Sequence, residues 1–121
     1  NQISQRVLDF IGLARKSGKA VCGYEKVKDW IAKEIAKVIV QSSDGSERGK
    51  SKLKLPAGLV LIDWLNSDEL GKAFGREKVI HCALASSGVT QRVVQEALRL
   101  KGIRAGSAFR RNSNRMEKVS I

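Results

Sequence analysis

Arg15, Lys16 and Lys19 crowd the approach to the segment Gly23-Tyr24-Glu25-Lys26. Long cationic side chains beside the start of a helix suit one kind of chemistry, the non-covalent capture of phosphate. A helix start offers free amide N–H groups and the positive end of the dipole, and flanking Lys and Arg add longer-range attraction. Gly23 lets a second backbone come close. Tyr24 shares a helical phase with Val27 and Ile31, so its ring is expected to pack inward more than to stack on a base.

Other chemistries fail on type or spacing. Gly12 to Lys19 (GLARKSGK) has the glycines of a phosphate loop set one residue too far apart, and Ala20 stands where Ser or Thr would hold magnesium. The segment also follows a helical pattern and not a strand, which removes an NTPase reading. His81 is the only histidine, inside a predicted strand and without a paired nucleophile. Asp44 and Asp63 fall at strand ends, where acids commonly cap helices, and no acid–base pair can be nominated. Cys22 and Cys82 lie far apart and form no CxxC pair, so two buried thiols are expected, with neither a zinc site nor a redox motif. The expectation is a protein that is not an enzyme and needs no cofactor or metal.

The elements that must position the cationic cluster follow from periodicity. Ile3, Val7, Phe10, Ile11 and Ala14 predict an amphipathic helix ending near Gly18. Lys19 to Cys22 reads as a short edge strand. A second helix is predicted from Gly23 with Tyr24, Val27, Ile31 and Ile35 on one face, and with Lys26, Lys28 and Lys33 elsewhere. Lys37 to Gln41, Leu59 to Asp63 and Val79 to Leu84 are apolar, β-branched runs that predict buried strands. A polar helix is predicted from Asp44 to Leu53 with Asp44 at its start. A short one, capped by Ser67 and stopped by Gly75, carries Leu70, Ala73 and Phe74 inward. A last helix spans Ser87 to Lys101 with Val93, Val94, Ala97 and Leu98 inward. Strands alternating with helices imply one sheet between helical layers.

Length bounds this to a domain over residues 1–102. Residues 103–121 read as a basic tail, with Arg104, Arg110, Arg111, Arg115 and Lys118 among Ser, Asn and Gly. Twenty-three Lys and Arg against twelve Asp and Glu leave a formal charge of +11, which calls for a polyanionic partner and points to nucleic acid. No apolar run approaches the ~20 residues that span a bilayer, and no signal-like segment opens the chain. A cytoplasmic protein with neither a membrane partner nor a small-molecule substrate is expected. Asn1 in place of an initiator Met reads as a cut from something longer.

Three segments together resemble one superfamily: Phe10 to Gly23 (FIGLARKSGKAVCG), the turn Ser43-Asp44-Gly45-Ser46, and Leu70-Gly71-Lys72-Ala73-Phe74-Gly75. In order and spacing they are similar to the kink-turn-binding ribosomal proteins, the L-seven-Ae and L-thirty-e proteins and, closest in flavour, their bacterial ribosome-associated relatives. The resemblance runs from Gln5 to Lys101. It implies a three-layer α/β/α sandwich with a mixed four-stranded sheet, L-thirty-e-like, whose first strand is Ala20 to Cys22. It also implies RNA contact through the start of the second helix and the loop after the Leu-Gly motif. Carried onto this chain, those positions are Gly23, Tyr24, Glu25, Lys26 and Asp29, then Gly75, Arg76, Glu77 and Lys78.

This chain departs from the family pattern in three places. Glu25 and Lys26 stand where kink-turn binders carry Asn then Glu, Asp29 replaces a Lys, and Arg76-Glu77-Lys78 replaces an apolar loop. Contacts that need only charge and shape survive such changes, whereas base-reading contacts do not. The resemblance and the charge together predict a translation-related RNA binder of structured, foremost ribosomal, RNA. Its contacts are Arg15, Lys16, Lys19, Gly23, Tyr24, Glu25, Lys26, Lys28, Gly75, Arg76 and Lys78, and its partners extend to the ribosome or translation factors. Two alternatives carry the same charge: a protein-interaction module of the translation machinery, and a substrate-recruiting domain of an RNA-modifying enzyme.

Overall fold

Apolar residues at helical spacing bury one face of α1 (Gln5–Lys16), with Val7, Leu8, Ile11 and Ala14 inside. The helix runs through Gly12, so Gly12 to Lys16 is helical where a phosphate loop would have to turn. Gly18 takes a positive φ of 79° just after the helix ends. The computed structural model describes residues 4–45, 53–100 and 104–105.

The chain then enters β1 (Ala20–Cys22), α2 (Tyr24–Ala32), β2 (Ala36–Gln41) and β3 (Val60–Ile62). It continues through α3 (Ser67–Phe74), β4 (His81–Ala85), α4 (Gly88–Leu100) and the two-residue β5 (Arg104–Ala105). The sheet order is β1-β4-β2-β3-β5. Among the described residues, β2 and β3 pair in parallel and the other pairings are antiparallel. The expected mixed sheet of four strands is therefore present, widened at one edge by β5. β2 lies at its centre, which accounts for the unbroken burial of Val38, Ile39 and Val40.

Alternate residues of the strands feed two cores. Val38, Val40, Ile62, Cys82 and Leu84 face α1, α3 and α4 in the larger one. Ile39 and Ala83 join Val27 of α2, with Leu53 and the half-buried Leu55 and Leu59, in the smaller one. Helix, sheet and helix make the three layers that the sequence predicts.

Several local expectations are corrected. Asn66, not Ser67, caps α3: its side chain accepts from the Glu69 N–H at 2.8 Å while Glu69 accepts from the Asn66 N–H at 2.9 Å. Gly75 stops that helix in the left-handed conformation, as expected. Ile35 is 37% exposed because α2 ends at Ala32 and Glu34 turns the chain at φ 61°. Leu98 is 56% exposed, since Thr90, Val93 and Ala97 already fill the buried stripe of α4. Ser87 caps α4 by accepting from the Thr90 N–H at 3.0 Å. Most of the helix predicted from Asp44 to Leu53 lies outside the described residues, where only the turn at Asp44 and Gly45 and the buried Leu53 are placed. Arg104 and Ala105, read as tail, pair with Leu61 and Val60, and the rest of that tail also lies outside the described residues.

Candidate nucleic-acid interface

β1 delivers the chain to the start of α2 at one end of the sheet. The Gly23 N–H donates to the His81 carbonyl at 3.0 Å, pinning this turn to β4. Gly23 then adopts φ 99°, a conformation that side-chain-bearing residues rarely take, and the space a Cβ would enter is open. No side chain caps α2 among the described residues, so the first amides of the helix face outward at an exposed glycine.

The second wall is the loop after α3. The Arg76 N–H donates to the Gly71 carbonyl at 2.8 Å, wrapping the loop back over the helix. A Cβ on Gly71 would fall 2.6 Å from the Glu77 carbonyl oxygen and 2.7 Å from that of Arg76. Gly71 is therefore the residue that lets Arg76, Glu77 and Lys78 lie where they do. Between the two walls is a groove of about 560 Å³ lined by Gly23, Tyr24, Asp44, Ser67, Arg76 and Lys78.

A second groove, of about 520 Å³, runs between α1 and α3 and is lined by Asp9, Gly12, Arg15, Lys16, Lys72 and Gly75. A Cβ on Gly12 would lie in ordinary van der Waals contact there, 3.7 Å from the Ala73 carbonyl oxygen. The Arg15 guanidinium reaches to within 3.7 Å of where a Gly75 Cβ would stand. Gly75 and Arg76, adjacent in sequence, thus join the two grooves.

The structure brings Gly23, Tyr24, Arg76 and Lys78 into one groove, and Arg15, Lys16 and Gly75 into the other. Lys19, Glu25, Lys26 and Lys28 are exposed but line neither. Lys28 Nζ lies 5.8 Å from the Tyr24 ring centroid, a cation–π contact. Tyr24 is half-buried: its ring tilts against His81 at 6.1 Å and packs on the smaller core while also lining the groove. Lys78 Nζ sits 3.3 Å from Asp68, and Asp29 makes an exposed i,i+4 ion pair with Lys33 at 3.1 Å, at the C-terminal end of α2.

Sequence reasoning missed Lys72, Asp44 and Ser67. Lys72 sits inside the Leu70 to Gly75 segment, where its helical phase alone could have placed it on the outer face. Asp44 sits in a turn and accepts from the Ser67 N–H at 2.8 Å and from the Ser67 hydroxyl at 2.9 Å. The Ser67 backbone bond foremost, and its hydroxyl next, hold the Asp44 carboxyl below the ordinary carboxylate value. No sequence signal connects residues so far apart.

No family model matches this chain, and no curated protein matches it. The fold is similar to that of a protein of unknown function from Bacillus halodurans, at 21% identity and a TM-score of 0.63, over 74% of this chain and 94% of that one. It is also similar to the Giardia lamblia 15.5kD RNA binding protein, at 10% identity and a TM-score of 0.61, over 84% of this chain and 89% of that one. Likeness at these identities shows a shared fold.

Proposed function

We propose that this chain is a non-catalytic RNA-binding protein that takes structured RNA, foremost ribosomal RNA, across its two joined grooves. One observation carries the reading: the bare start of α2 at Gly23 opens into the same groove as Arg76 and Lys78. Amide donors and the helix dipole there suit a phosphate at short range, and the Lys and Arg side chains suit it at longer range. Arg15, Lys16 and Lys72 extend the cationic track into the neighbouring groove, matching a repeating polyanion better than a single small anion. The formal charge of +11 and the RNA-binding character of the Giardia neighbour point the same way.

The contacts are to phosphate and shape. Asp29 is committed to Lys33, and Arg76-Glu77-Lys78 offers charge where an apolar loop would pack on flipped bases. A kink-turn and its unkinked mutant therefore bind within about tenfold of each other, or about 1.4 kcal/mol. A several-hundredfold preference measured by competition would restore base-specific recognition to this surface.

Titration of RNA at increasing salt tests the function itself. Neutralising about 5 phosphates of a single strand gives a log–log slope near −3.5, at about −0.7 per phosphate. A slope near zero, or no binding at ~50 mM salt, ends the RNA reading.

A further inference from the structure

Cys22 ends β1 and Cys82 is the second residue of β4, and the antiparallel register sets them directly opposite one another. The bond beyond the pair runs from the Gly23 N–H to the His81 carbonyl at 3.0 Å, and farther along the ladder the Ala85 N–H donates to the Lys19 carbonyl at 2.8 Å. Donation from the residue after one partner to the residue before the other marks a non-hydrogen-bonded pair, where Cα atoms approach to about 4.5 Å. Disulfides span Cα separations of about 4.4–6.8 Å. The two thiols also share one face of the sheet, both in the core beneath α1, α3 and α4. The backbone spacing of such a pair thus falls within the reach of a disulfide.

Access separates the two. Cys22 keeps 8% exposure and lines the groove beside Gly23, whereas Cys82 is 0% exposed. Burial foremost, and the neighbouring Cys22 next, push the Cys82 thiol far above the ordinary thiol range. Cys82 is therefore no target for first attack, yet it stands next to whatever forms on Cys22.

We propose that Cys22 and Cys82 are a redox-active dithiol, in which a hydroperoxide oxidises Cys22 from the groove and Cys82 closes a cross-strand disulfide. In the first step the Cys22 thiolate attacks the peroxide, an S–O bond forms and the O–O bond breaks. The leaving oxygen takes up a proton to depart as alcohol or water, and Cys22 becomes a sulfenic acid. In the second, the Cys82 sulfur attacks the Cys22 sulfur, an S–S bond forms and the S–O bond breaks, and water leaves with the Cys82 proton. Two thiols are oxidised by two electrons and one peroxide is reduced. The resulting tie lies one residue before the open start of α2, and it does not depend on the RNA reading.

The test exposes the full chain to hydrogen peroxide at neutral pH, removes the peroxide, unfolds the protein, and counts maleimide-reactive thiols by intact mass. Two thiols before treatment should become none, in a monomer lighter by two hydrogens, and a thiol reductant should restore both. Thiols that stay alkylatable, a monomer that gains oxygen without losing hydrogens, or a disulfide that joins two chains would each overturn the proposal. In Cys82→Ala, Cys22 should stop at a sulfenic acid trapped by dimedone. In Cys22→Ala, Cys82 should oxidise at least about tenfold more slowly than Cys22 does in Cys82→Ala. Equal rates in the two variants would overturn the assigned order, and the thiol count on the unsubstituted chain holds even if either variant folds poorly.

Discussion

Two helix starts line the same groove and are finished in opposite ways. At α3, Asn66 and Glu69 exchange hydrogen bonds with each other's backbone, and the Asp44 carboxylate takes both the N–H and the hydroxyl of Ser67. At α2, Gly23 carries no capping side chain, and its φ of 99° disfavours the Ser, Asp or Asn that would supply one. A glycine at this position sacrifices only a few tenths of a kcal/mol relative to those residues. An open helix start is thus nearly free to maintain, and here backbone conformation enforces it. The α3 start gives its donors to the side chains of Asn66 and Asp44, and the α2 start has no side-chain acceptor among the described residues.

The largest effect that bears on this contrast is expected at Gly71, the hinge that seats the loop between the two starts. Gly71→Ala would drive a methyl into the carbonyls of Arg76 and Glu77, costing about 2–3 kcal/mol in the range seen for overpacking. A melting temperature lower by roughly 8 °C or more, with weakened RNA binding, is expected from thermal unfolding and titration. An unchanged melting temperature would show that the loop position does not rest on Gly71.

The next pair sets one start against the other. Asn66→Ala removes the capping box and should lower stability by about 1–2 kcal/mol while RNA affinity stays within about twofold. Gly23→Ala forces a side-chain-bearing residue to φ 99° and ψ 145°, at a cost of about 1–3 kcal/mol, and fills the open space at the helix start. It should therefore also weaken RNA binding about tenfold, or ~1.4 kcal/mol. Denaturant unfolding and RNA titration on both variants decide the matter. If Asn66→Ala costs affinity and Gly23→Ala does not, the roles of the two starts are reversed.

The smallest effect is in the pH dependence of the capped start. Asp44 is held below its ordinary value of 3.8, so its contribution to stability is present above that value and is lost as pH falls through the lowered one. Asp44→Asn should be less stable than the parent at pH ~7, and the gap should close as pH falls below ~4. A gap that stays constant down to pH ~2 would show that Asp44 acts through shape and not charge.

Local pattern carried much of this molecule into view. The buried face of α1, the β-branched run of β2 and the Gly75 stop all follow from spacing that a single segment imposes on itself, through helical or alternating periods and one left-handed glycine. The types of the candidate RNA contacts were legible for the same reason, since Lys and Arg beside a predicted helix start need no tertiary information to be noticed. Their grouping was not. Arg15 meets Gly75, and Gly23 meets Arg76 and Lys78, only because α1 packs on α3 and β1 pairs with β4. Likewise Ile35 and Leu98 fit a helical face by period but face outward, because helix length and the position of neighbouring elements decide where a buried stripe ends.

By itself the sequence determined the order of the described helices and strands from α1 to α4, the excess of positive charge and the glycines that turn the chain, because each is a property of a few adjacent residues or of composition. Tertiary structure alone decided that Asp44 would cap the helix at Ser67, that Gly71 would carry the loop at Arg76, and that Cys22 would face Cys82. Each of those pairings joins segments distant along the chain, and strand register and helix packing, set by the burial of the whole core, determine which distant residues meet.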